Sequence, residues 1–208
     1  GKTTRVPLAL LEEEWMKGRR MIMLEPRRLA ARRASAYMAG LIGEKAGATV
    51  GFRTRGESAV SPRTRIEVVT EGVLTRMLQS APDLPGVALL IFDEFHERSI
   101  HADLGLALAL DAQAHLRPEL RILVMSATLD GAAVAHLLGG APVVESPGRA
   151  HPVETRYLED AVTGPVEPAV AAAVQRAWHD APGDLLVFLP GRREIRRTAE
   201  LREQAGLE

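Results

Sequence analysis

Residues 87–99 read "VALLIFDEFHERS". Six apolar residues run without a polar break into Asp93 and Glu94. A short apolar run bounded by polar or turn residues suits a strand buried on both faces, and such strands belong to parallel sheets. Carboxylates at its C-terminal end stand where open α/β sheets bind their ligands. The stretch therefore bears on fold class and on a site together.

The rest of the chain repeats the pattern. "MIML" (21–24), "IEVV" (66–69) and "RILVM" (121–125) are further apolar runs of strand length. Helical stretches lie between them: "RRLAARRASAYMAGLI" (27–42) after Pro26, "GVLTRMLQS" (72–80), "ADLGLALALDAQAHL" (102–116) before Pro118, and "DGAAVAHLLG" (130–139). Strand–helix alternation predicts an α/β fold with an open, mostly parallel sheet. "VGFRTRGESAVSPRTRIEVV" (50–69) is turn-rich and predicts an irregular or hairpin excursion before its strand. Pro and Gly concentrate in "APVVESPGRAHP" (141–152), a linker signal. Beyond it come "VETRYL" (153–158), an Ala-rich helix near 166–179, and "DLLVFLPG" (184–191), read as a strand with a turn. The expected division is a first domain over 1–147 and the beginning of a second over 148–208.

Composition narrows the class. The 208 residues are 46% hydrophobic and 25% charged, within the ordinary globular range. No apolar stretch is long and clean enough for a membrane span, and no signal-peptide pattern is present. The chain starts at Gly1 without Met, which suggests a piece of something longer. Absence of cysteine excludes disulfides and thiolate chemistry and agrees with a cytoplasmic setting. A net charge of −1 argues against general polyanion binding. Residues 17–35 nevertheless carry seven basic residues against Glu25 alone. With three lysines among 26 basic residues, part of that arginine wealth can reflect composition rather than recognition. A solvated helix face is the plain alternative.

"GKTT" (Gly1, Lys2, Thr3, Thr4) matches the end of the phosphate-binding loop G-x-x-x-x-G-K-[ST]. In that motif backbone N–H groups and a helix N-terminus surround phosphates, the lysine reaches the β- and γ-phosphates, and the hydroxyl binds Mg²⁺. Asp93 suits the metal and Glu94 the attacking water, because phosphoryl transfer needs charge neutralised and a nucleophile positioned by different groups. "MSATL" (125–129) puts the hydroxyls of Ser126 and Thr128 at the same sheet edge, although helix capping is the commoner use of such residues. A zinc site from "HERSIH" is disfavoured, since His96 and His101 are five apart rather than four.

Taken together, "GKTT", "EPRRLAA" (25–31), "TEGVLTRML" (70–78), "DEFHERS" (93–99), "SATL" (126–129) and "LLVFLPGRREI" (185–195) resemble, in order and spacing, the motifs of the DEAH-box superfamily 2 helicases. The likeness covers nearly the whole chain, and the DEFH variant points to bacterial members. It implies two RecA-like domains that clamp ATP between them and hold a single strand of nucleic acid, expected to be RNA, across them. It assigns Gly1, Lys2, Thr3 and Thr4 to nucleotide, Thr3 and Asp93 to Mg²⁺, and Glu94 to water. His96 would link the nucleotide site to the second domain. Ser126, Ala127 and Thr128 would couple hydrolysis to strand movement. Pro26, Arg27, Arg28, Thr70, Glu71, Gly72 and Gly191 match strand-contacting motifs. "PGRREI" stands where the family has a turn like "TGQEEI", so Arg192 and Arg193 replace its Gln and first Glu. The leading reading is an ATP-driven RNA translocase. The alternatives are an ATP-gated RNA clamp that separates no strands and a degenerate binding module. Intact Lys2, Asp93, Glu94 and His96 weigh against the last.

Phe95 has no role in phosphoryl chemistry, and most of the resembling family has Ala there. The ring is expected to turn from the phosphates and fill a gap against neighbouring elements.

Overall fold

In the computed structural model, residues 1–127, 131–146, 151–158, 161–180 and 183–204 are described. Two compact units form, Gly1–Ser146 and Pro147–Glu208.

The first unit is built on a six-stranded sheet: β1 (Arg20–Leu24), β2 (Val50–Thr54), β3 (Glu57–Ala59), β4 (Ile66–Val69), β5 (Val87–Phe92) and β6 (Arg121–Val124). The order is β3-β2-β4-β1-β5-β6, parallel except for β3, which pairs antiparallel with β2. The predicted excursion is this β2–β3 hairpin, closed at Gly56 with a φ of +88°. At Gly51 a Cβ would meet the Ala59 carbonyl oxygen at 2.4 Å, so the hairpin's return leaves no room for a side chain there.

Side-chain alternation along the strands builds two cores. Met21, Met23, Ile66, Val68, Leu89 and Ile91 face α1 (Lys2–Ala9) and α2 (Arg28–Leu41). Ile22, Leu24, Val69, Leu90 and Phe92 face α3 (Glu71–Ser80) and α4 (Ile100–His115). Helices on both faces are why the central strands are apolar throughout. In α2 the buried residues Ala31, Ala34, Ser35, Met38 and Ala39 follow helical spacing, leaving Arg28, Arg32 and Arg33 on the solvent side. Pro7 lies inside α1 and forgoes one helical hydrogen bond, and the helix passes into a 3-10 turn at Leu10–Glu12. Among the described strand residues, Glu67 is the buried charge, 2% exposed; Arg53 Nε donates to its carboxylate at 2.7 Å.

Two expectations are corrected. β6 is not a fully buried strand: Arg121 is exposed and Ile122–Val124 are half-buried, because β6 closes one edge of the sheet. In the second unit the stretch 184–191 forms no strand, and Leu186 and Phe188 are 81% and 86% exposed. A strand exists only through its ladder, and no described residue of that unit pairs with it. The second unit does contain the expected Ala-rich helix, after α5 (Gly131–Leu137) of the first, as α6 (Val166–Asp180), followed by α7 (Arg192–Gln204).

Candidate active site

From β1 the chain passes to the β4 side, then returns to form β5 on β1's other side. The crevice at the C-terminal ends of β1 and β5 is thus the switch point at which open parallel sheets bind ligands. Ladder bonds continue past the strand ends there. Glu25 N–H donates to the Val69 carbonyl (2.9 Å), Asp93 N–H to Leu24 (3.1 Å), and Met125 N–H to Phe92 (2.8 Å). Glu25, Asp93 and Met125 are fixed side by side.

Asp93 is 4% exposed; its Oδ1 accepts from the Glu94 N–H at 2.9 Å, and its buried Oδ2 has no hydrogen-bond partner. Glu94 is half-buried with a φ of 51°, a left-handed conformation that costs a non-glycine residue about 1–3 kcal/mol. A 3-10 turn, Phe95–Glu97, follows, and Arg98 leaves it with a φ of 43°. His96 Nδ1 lies 3.4 Å from Glu94 Oε2 and 3.5 Å from the backbone nitrogen of Ala127. These contacts make opposite demands on one atom: toward Glu94 it must donate, toward Ala127 accept.

Phe95 turns inward as expected. The ring is 4% exposed, edge-on to Phe92 at 6.3 Å, and carries the Arg98 guanidinium 5.7 Å above it. Its N–H donates to the Met125 carbonyl at 3.2 Å, tying the turn to β6.

Lys2 opens α1, with Gly1 at its N-cap, and its ammonium donates to the Ser126 carbonyl. "GKTT" and "SATL" therefore meet across 124 residues. Thr3 and Thr4 are half-buried in the first turn of α1. Thr128 lies outside the described residues.

Around this edge stand the residues matched to strand contact. Pro26 is half-buried, and Arg27 and Arg28 are exposed at the start of α2. Thr70 is buried at the N-cap position of α3 without a side-chain cap, and Gly72 is exposed in the helix's first turn. The Glu71 carboxylate accepts the Ser99 hydroxyl, while Ser99 Oγ accepts from the Ala102 N–H at 3.0 Å and caps α4. Gly191 precedes α7 in the second unit, and its carbonyl accepts from Ile195.

Sequence reasoning passed over Glu25, Glu97 and Ser99. Glu25 is 5% exposed, and burial, then Asp93, Glu94 and Glu97, push its carboxyl up to about 7; Arg27 offsets part of this. The available signal was its position: an acid directly after a buried strand, as Asp93 is.

These features place the chain among parallel-sheet α/β proteins with a candidate phosphate site at the C-terminal edge of the sheet, and its family follows. Residues 1–137 match the DEAD/DEAH box helicase family, to which the chain belongs. It is 52% identical over 200 residues to the ATP-dependent RNA helicase HrpB of Escherichia coli (strain K12), across 96% of this chain and 25% of that protein. Two crystal structures of E. coli HrpB, one described as a DEAH/RHA helicase and one as a DExH-box NTPase, match with TM-scores of 0.89 and 0.77. Each is 51% identical and covers 98% of this chain, but 26% and 25% of its own. The chain spans about a quarter of the length of its curated relative. Its RecA-like α/β fold is shared with these structures.

Proposed function

We propose that this chain supplies the first ATP-binding domain, and the opening of the second, of an Mg²⁺- and ATP-dependent helicase or translocase acting on single-stranded RNA. One observation carries the reading: Lys2, the Asp93–Glu94 pair and Ser126–Ala127, far apart in sequence, meet at the C-terminal edge of one parallel sheet.

Lys2 and the N-terminal N–H groups of α1 present positive charge to phosphates. The ammonium would leave the Ser126 carbonyl to do so, and nucleotide binding would thereby be felt at Ser126–Ala127. The donor set fits Mg²⁺. Asp93 Oδ2 is a buried oxygen without a partner, and Thr3 supplies a hydroxyl. Mg²⁺ keeps several waters and takes one or two carboxylates with substrate phosphates, so no denser protein cage is required. Bound there, it would neutralise charge on the phosphate oxygens. Glu94, more open to solvent than Asp93, takes a proton from the attacking water. His96 reports the state of Glu94 to Ala127 through its shared Nδ1.

Arg27 and Arg28, with the first turn of α3 at Thr70 and Gly72, form the strand-contacting rim. Glu71 acts there by holding Ser99, since a carboxylate repels phosphate. In the second unit Gly191, Arg192 and Arg193 open α7 and suit a backbone phosphate. A cytoplasmic location accompanies this reading; no described helix is long and apolar enough to cross a membrane.

The test uses the full-length protein. Glu94→Gln should bind ATP almost normally yet hydrolyse it at least about a hundredfold more slowly, as for loss of a catalytic base. Lys2→Ala should weaken nucleotide binding itself. Normal turnover by Glu94→Gln would remove Glu94 from the mechanism.

A further inference from the structure

Two ties run from the strand-contacting rim to the turn that follows the catalytic carboxylates. One is Glu71 to Ser99. The other joins Arg27 Nη2 to Glu97 Oε1 at 2.8 Å, across 70 residues of sequence. The second tie is open to exchange: the Arg27 side chain is 72% exposed and that of Glu97 35%.

We propose that Glu97 is a positioning residue that occupies Arg27 while no strand is bound, and that a backbone phosphate of single-stranded nucleic acid displaces it. The inference rests on the reading of Arg27 as a strand contact. A carboxylate and a phosphate offer the same guanidinium similar oxygen pairs, so they compete for it directly. The turn that Glu97 ends is poised to respond. It lies between two left-handed non-glycine residues, Glu94 and Arg98, a conformation that persists only when neighbours enforce it. Those neighbours are the buried Phe95 ring, the Met125 carbonyl, the Glu71–Ser99 contact and Arg27 itself. Once Arg27 is taken, Glu97 loses its ion pair while Glu25, on which it acts electrostatically, stays close, and repulsion favours its departure from the sheet edge. Strand arrival is thus transmitted to the backbone that aims Glu94.

An exposed ion pair is a weak competitor, so the effect is small and defined: about two- to fivefold in RNA affinity. The experiment is a double-mutant cycle in the full-length protein, read by titrating a fluorescent single-stranded RNA and by RNA-stimulated ATP turnover. Glu97→Gln should tighten RNA binding by that factor. Glu97→Ala should do so at least as well, because an amide oxygen can still accept from Arg27. The RNA concentration for half-maximal stimulation should fall in step. In an Arg27→Ala background the gain should vanish. A gain that survives there would reflect general removal of negative charge and would overturn the proposal, as would no gain in either single variant. Should Arg27→Ala alone leave RNA affinity untouched, the strand-contact reading itself would fall. No gain in either Glu97 variant, with Arg27→Ala still weakening binding, would sink only the competition.

Discussion

A phenyl ring has no proton to give and no metal to hold, so Phe95 can act only through what it covers. Its ring lies against Phe92 beneath Arg98, between the sheet and α4. Phe95→Ala should therefore cost about 3–5 kcal/mol, less if the site collapses around the smaller side chain. ATP turnover by the folded protein should change less than about tenfold, well short of the Glu94→Gln loss. Unchanged melting with turnover lost as fully as in Glu94→Gln would place Phe95 in the chemistry after all. Glu25 makes a different prediction, in pH. Its folded pKa, about 7, lies above the ordinary 4.5, so the protonated form favours the fold. That contribution is full below pH 4.5 and is lost as pH rises through about 7. Glu25→Gln cannot ionise. With chelator present, its melting temperature should match the parent's near pH 5 and exceed it increasingly toward pH 8. A difference that does not vary with pH would show that Glu25 does not titrate in this window. Asp93 and Glu94 were legible as a site from sequence because an apolar run ends in them. Glu25 was hidden: its neighbour "PRR" draws the eye to basic charge, and its burial exists only once β1, β4 and β5 lie side by side.

At the scale of elements, helices were read closely where one face is apolar at helical spacing, and α2 is the clearest case. The same face rule leaves Arg27 and Arg28 at its exposed start, following Pro26. If both contact phosphates, Arg27→Ala with Arg28→Ala should weaken single-strand binding to a similar degree for all sequences. The dependence of log affinity on log salt should flatten by up to about 0.7 per lost contact. Titrations of two unrelated RNAs over a salt series would test this, and loss confined to one RNA would indicate base readout instead. Strands were read less well, for a physical reason. A helix closes its own hydrogen bonds, whereas a strand depends on a neighbour that its own residues do not encode. "RILVM" and "DLLVFLPG" look alike as apolar runs. The first pairs with β5 as an edge strand, and the second finds no ladder among the described residues. The α4 boundary shifted for a similar reason, since Ser99, read as part of an acidic motif, is also that helix's cap.

Across the whole molecule, the near-zero net charge means that the proposed attraction to nucleic acid would have to be local, at Arg27, Arg28 and the arginines of α7. The sequence by itself determined the parallel α/β class, the helix positions in the first unit, and the segments proposed to carry phosphate chemistry. Those properties are written in short-range patterns: apolar runs, helical spacing, and the residue types that phosphate and metal require. The strand order was decided only by the tertiary structure. So were the meeting of Lys2 with Ser126, the conflicting demands on His96, the raised pKa of Glu25, and the Arg27–Glu97 and Glu71–Ser99 ties. Each of these depends on distance between residues remote in the chain. Electrostatic and hydrogen-bond energies fall steeply with that distance, and it is set by packing two cores against one sheet.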